Sequence, residues 1–112
     1  MAGTREDATL ILELAKWGAM IGLQDASRKV YADDFDPDVA HPLDAEVQTV
    51  LVWHETIGTL VKNMLLDRAL VYDWLWVSGS WDRVGPAALA AREKAGVPEL
   101  FENFEELAKR QG

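Results

Sequence analysis

His54 and Glu55 stand side by side in VLVWHETIGTLVKNMLLD, an otherwise apolar run over residues 50–67. That pair is the first half of the zinc motif H-E-x-x-H, in which two imidazoles one helical turn apart hold the metal and the glutamate activates water. Gly58 occupies the place of the second imidazole, so a zinc site lacks a ligand. A di-iron carboxylate bundle needs Glu-x-x-His on two helices, and neither His41 nor His54 follows a glutamate at that spacing. We therefore assign no metal and no cofactor. His54 reads as a core or boundary histidine hydrogen-bonded to a neighbouring helix. Glu55 flanks the apolar stripe and must reach water or a cation, because an unpaired buried charge is costly. Arg92 is the expected partner, and His54, Glu55, Arg92 and Glu105 form one polar cluster, either a strut or a ligand site.

Other chemistries find less support. Asp34, Asp36 and Asp38 reproduce the first three acids of an EF-hand loop, but Val39 stands where that loop needs glycine and Ala45 where it needs a bidentate glutamate. We read this stretch as a solvated acidic linker. Ser27, Ser78 and Ser80 lack a glycine-framed nucleophile elbow, and no glycine-rich loop precedes a helix to cradle phosphate. We assign no catalytic residue.

The elements that must carry these residues are helical. Thr4 and Asp7 have capping-box spacing, and Leu10, Leu14, Trp17, Ile21, Gln24, Arg28 and Tyr31 then alternate in steps of four and three. One helix over about residues 5–31 follows. An acidic loop with two prolines fills 32–42, and a second helix is expected over 43–66, with Val47, Val50, Leu51, His54, Ile57, Gly58, Val61 and Leu65 inward. Asp67 is a good N-cap for a third helix over 68–94, which should kink or break near Pro86. Gly96 stops it, and Pro98 opens a short last helix to about residue 110, with Leu100, Phe101, Phe104 and Leu107 inward. The expected fold is all-α, one domain over 1–112: a small antiparallel bundle of three long helices closed by a short C-terminal one.

Composition narrows the partners. With 112 residues the chain can bury one modest core, and its net charge of −8 disfavours nucleic acid. Cysteine is absent, which excludes disulfides and thiolate sites and suits a reducing cytoplasm. The N-terminal segment has no signal-peptide pattern, and the apolar window over 8–23 contains Glu13 and Lys16 and falls short of the roughly 20 residues a bilayer span needs. We expect a cytoplasmic protein with no membrane contact. Of the five tryptophans, Trp17, Trp74 and Trp81 lie on inward stripes, whereas Trp53 and Trp76 lie off them and mark a candidate contact surface. Gly18 and Gly22 form a small-xxx-small pattern that lets another helix approach closely. The expected function is a non-enzymatic interaction protein that binds itself, as a dimer, or another protein. The alternative is a small hydrolase or ligand-binding protein built on the polar cluster.

From Val50 to Ala108 the ordered signals resemble a widespread bacterial domain family of unknown function, some of whose members carry an N-terminal membrane segment. The matching positions are Glu55, Leu66-Asp67, Trp81, Arg92 and Asn103-Phe104-Glu105. The resemblance implies a helical fold. It implies no mechanism, and no anchor of the kind those members carry is expected here.

Overall fold

The computed structural model describes residues 3–112 and is helical, with no strand among them. Six helices follow in order: α1 (Arg5–Met20), α2 (Leu23–Val30), α3 (Ala45–Lys62), α4 (Arg68–Trp74), α5 (Val77–Ala95) and α6 (Glu102–Gln111). Two of the expected long helices are each broken in two, so the bundle of three long helices and a short one is corrected to six segments around one core.

The first break falls at Gly22. Its φ of 78° is left-handed, a conformation that costs glycine nothing, and Ala26 N–H then bonds Gly22 O to begin α2. Gly22 is thus a corner, not part of a helix-packing face. The periodic stripe hid it, because the step pattern survives the bend. The second break falls at Leu75-Trp76, where Leu75 is extended (φ −127°, ψ 143°). The backbone groups freed there are taken by one distant side chain: Gln111 Nε2 donates to Leu75 O, and Gln111 Oε1 accepts from Ser78 N–H, both at 2.8 Å. Nothing local announces that break, and it resets the register so that Val77, Ser80 and Val84 face inward.

Pro86, where the break was expected, lies inside α5. The residue before a proline resists helix chiefly through its amide and Cβ; here that residue is Gly85, which has no Cβ and lies under the Trp81 indole. α3 starts at Ala45 and ends at Lys62, later and earlier than expected, and Met64 turns the chain at φ 61°. Leu65, expected inward, is consequently exposed.

α3 forms the axis. Val47, Val50, Leu51, Ile57 and Trp53 are buried along it, and Phe104, Leu107 and Ala108 of α6 pack against it beside Val77, Val84, Ala87 and Ala88 of α5. The Thr4–Asp7 capping box forms as expected: Asp7 N–H donates to Thr4 Oγ1, and Asp7 Oδ2 accepts from Thr4 N–H at 2.7 Å. Asp67 caps α4 through Leu70 N–H at 3.0 Å. Asp67 N–H in turn donates to Asp7 Oδ1, also at 3.0 Å, and clips α1 to the α3–α4 corner. These amide donors from Thr4 and Asp67 hold the Asp7 carboxyl below the usual carboxylate range.

Candidate functional site: the α3–α6 junction

Glu55, Gly58 and Thr59 lie along one side of α3 and receive the first turn of α6. The amides of a helix's first turn have no partner within the helix, and Phe101, at the N-cap of α6 with φ 60°, supplies no side-chain cap. Glu55 supplies it from another helix. Phe104 N–H donates to Glu55 Oε1 at 2.9 Å, and Asn103 Nδ2 donates to Glu55 Oε2 at 2.9 Å and to Thr59 Oγ1 at 3.2 Å. A carboxylate at a helix N-terminus also meets the positive end of the helix dipole. Gly58 permits this approach, since a Cβ there would lie 2.5 Å from Asn103 O and 2.6 Å from its carbonyl carbon.

Arg92 works on the other side of the same turn. Its Nε donates to Leu100 O at 2.6 Å, and its Nη2 sits 2.9 Å from Glu105 Oε1. That second contact is an ion pair without a directed hydrogen bond, because Nη2 has no acceptor along its N–H directions. Lys109 adds its ammonium 3.1 Å from Glu105 Oε2. Burial pushes the Glu105 carboxyl up, but the contacts and charges of Lys109 and Arg92 outweigh it, and the net shift is downward. The expected Glu55–Arg92 pair is therefore corrected: Glu55 bonds to amide donors, and Arg92 to a carbonyl and a different carboxylate.

His54 is separated from this polar work. It is 4 % exposed, its Nδ1–H donates to Val50 O of its own helix at 2.8 Å, not to a neighbouring helix, and its ring stacks on Phe104 with centroids 4.7 Å apart. Burial lowers its pKa from 6.5 to about 4, so the ring is neutral at pH 7. The four residues of the polar cluster thus surround one helix start without converging on a shared cavity. No group of three or more His, Asp or Glu side chains among the described residues is placed to hold a metal.

The proposed contact residues divide as sharply. Trp53, expected at the surface, is 1 % exposed; its Nε1–H donates to Leu14 O at 3.0 Å and its ring meets Trp74 edge-on. A register on one helix could not show that α1 covers this side of α3. Gly18 is consumed by the same contact, since a Cβ there would lie 3.0 Å from Trp53 Nε1 and from Leu23. Trp76 does lie outside, at 67 % exposure, with its ring over Gly79 and nearly parallel to that of Tyr31, centroids 6.1 Å apart. Tyr31 is held in turn by a 2.8 Å bond between its hydroxyl and Ser80 Oγ.

Several residues with structural work carried no signal in the sequence. Arg83 organises the acidic loop: Nε donates to Val30 O at 2.6 Å, Nη2 to Ala32 O and Phe35 O at 3.1 Å, and the guanidinium lies 5.3 Å from the Phe35 ring centre. The loop acids serve local turns, as when Asp36 Oδ1 accepts from Asp38 N–H at 3.0 Å. Tyr72 and Gln111 fasten the far end of α6, Tyr72 by donating to Leu107 O at 2.6 Å. An open groove of about 900 Å³ runs between the N-terminus of α1, the α3–α4 corner and α6, lined by the acids Asp7, Asp67, Glu102, Glu105 and Glu106 and by Lys62, Arg68 and Arg110.

Fold and junction together describe a small helical domain in which Glu55 and Asp7 serve helix starts. The chain belongs to the family described as a domain of unknown function, DUF4760, whose model matches residues 1–111. No curated protein and no solved structure matches it. The positions on which the resemblance was read (Glu55, Asp67, Trp81, Arg92 and Asn103-Phe104-Glu105) gather largely at the start of α6, with Trp81 edge-on to Phe104 at 5.0 Å.

Proposed function

We propose that this domain is a non-enzymatic interaction module of the cytoplasm that self-associates through the apolar surface around Trp76. The carrying observation is Trp76 itself: a large aromatic side chain two-thirds exposed, fixed by Gly79 beneath it and Tyr31 beside it. Aromatic side chains dominate the energetics of contact surfaces, and one already locked in place has given up its rotamer freedom before a partner arrives. No buried contact of the fold depends on the outer face of that ring. The polar cluster supports the same reading indirectly, because both carboxylate oxygens of Glu55 and of Glu105 are engaged inside the chain. Light scattering over a concentration series tests it. Wild type should form a dimer that Trp76→Glu weakens without lowering the melting temperature; a wild-type monomer at every concentration refutes the reading.

A ligand-binding reading keeps one observation in its favour, the groove beside Glu105, where Asp7, Asp67, Glu102 and Glu106 outnumber Lys62, Arg68 and Arg110. It predicts that a small cationic metabolite raises the melting temperature of wild type but not of Glu106→Lys.

A further inference from the structure

We infer that the α4–α5 boundary is a two-state element set by the end of α6. With Gln111 seated, the helix is broken at Leu75-Trp76 and Trp76 is presented beside Tyr31; with Gln111 withdrawn, residues 68–95 close into one helix and that surface is lost. The inference deepens the self-association reading and rests on it only for the use to which the Trp76 surface is put.

The sequence across the boundary is helical throughout. Leu70, Val71, Trp74, Leu75, Ser78 and Trp81 keep helical spacing, and no proline or glycine stands between Arg68 and Ser78. Nothing local stops the helix at Leu75. A continuous helix would pair Leu75 O with Gly79 N–H, and Ser78 N–H with Trp74 O. Gln111 takes both central groups instead, its side-chain amide donating to Leu75 O and accepting from Ser78 N–H, each at 2.8 Å. One amide, being donor and acceptor at once, replaces two helical bonds. One turn earlier on α6, Leu107 O accepts from Tyr72 of α4 at 2.6 Å, so the last turn of α6 splints both sides of the break. Without the splint, the two freed groups regain partners by closing the helix, because backbone groups left unpaired are costly.

The two states present different surfaces. Closing the helix takes Leu75 from ψ 143° to about −42°, which swings α4 against α5. Trp74 meets Trp53 on one side of that residue, and Trp76 lies beside Tyr31 on the other, with Tyr31 tied to Ser80. Both contacts cannot survive the swing. Trp53 is buried and held by Leu14 O, whereas Trp76 is two-thirds exposed, so the Tyr31–Trp76 stack is the one that gives way. Glu55 at the start of α6 and Gln111 at its end thus bear on one surface: what seats α6 presents Trp76. By linkage the converse holds, and association through Trp76 should protect α6.

Gln111→Ala tests this, since it removes the splint and leaves Trp76 and Tyr31 in the chain. Backbone carbon shifts at Leu75 and Trp76 should move from extended to helical values, the proton contacts between Tyr31 and Trp76 should vanish in NMR, and dimerisation should weaken about tenfold. Gln111→Glu keeps the acceptor for Ser78 N–H but loses the donor to Leu75 O, and should fall between; it also serves if the alanine variant fails to fold. Adding Val77→Pro to Gln111→Ala should restore both the extended Leu75 and the Tyr31 contact. Proline fits the first position of α5 but cannot continue α4, and Trp76, at ψ 77°, already lies outside the helical region that a following proline disfavours. A merely stabilising Gln111 would lower the melting temperature and leave those shifts extended, which overturns the two-state element whatever the dimer does. Helical shifts with an unchanged dimer uphold the element and overturn Trp76 as the contact surface.

Discussion

The α3–α6 junction and the Trp76 edge handle their side chains in opposite ways. At the junction, charged residues that look chemically promising are drawn in and spent on backbone groups: Glu55 on Phe104 N–H, Arg92 on Leu100 O. At the edge, an apolar residue is held out in water by Gly79 and Tyr31. The first region stores stability in polar contacts, and the second leaves apolar surface unspent. A charged cluster in a small fold is therefore weak evidence of catalysis until its hydrogen bonds have been traced, and an exposed aromatic gains weight once it is shown to be fixed.

The junction should break most completely at Gly58. A Gly58→Val side chain cannot clear the Asn103 carbonyl 2.5 Å from the first added carbon, and we expect a loss of about 3 kcal/mol or more, read as a large drop in the urea midpoint. The matching change at the edge, Gly79→Ala, should displace the Trp76 ring and shift tryptophan fluorescence.

Acid should come next. The folded pKa of His54, about 4, lies below its unfolded value near 6.5, so the neutral ring's contribution is complete above pH 6.5 and is lost as pH falls towards 4. Two and a half pH units amount to about 3 kcal/mol. Chemical denaturation from pH 7 to 4 should show that loss beyond what the lowered carboxyls of Asp7 and Glu105 contribute, and His54→Phe should remove its own share.

Arg92→Leu should cost about 2 kcal/mol, because it uncovers Leu100 O and leaves Glu105 with Lys109 alone. The Phe104 amide should nonetheless stay bonded to Glu55, which a Glu55–Arg92 pair would not allow. The smallest effect on stability belongs to the edge: Trp76→Glu should move the melting midpoint by no more than about 0.5 kcal/mol in free-energy terms while weakening self-association.

How far the sequence could be read follows the same division. Contacts within one helix or at a cap were legible: Thr4 with Asp7, Asp67 over α4, the inward face of α3 through His54. The all-helical class followed from periodicity. What stayed hidden was decided by distant elements. The break at Leu75 depends on Gln111, 36 residues away, and the burial of Trp53 depends on Leu14, 39 residues away. Glu55 was correctly singled out as needing a partner, but charge bookkeeping pointed to a cation, and its partners are an amide N–H and an asparagine side chain. Gly58, legible as a missing metal ligand and as one position of the inward stripe, is the residue that lets α6 reach Glu55.

The account stands most directly on the bond between Glu55 and the start of α6, and amide hydrogen exchange in Glu55→Ala measures it. Protection should fall at Phe104 and its neighbours in the first turn of α6, by a factor corresponding to about 2 kcal/mol, while the amides of α3 keep theirs. Unchanged protection at Phe104 would contradict the capping role and return Glu55 to the search for a ligand.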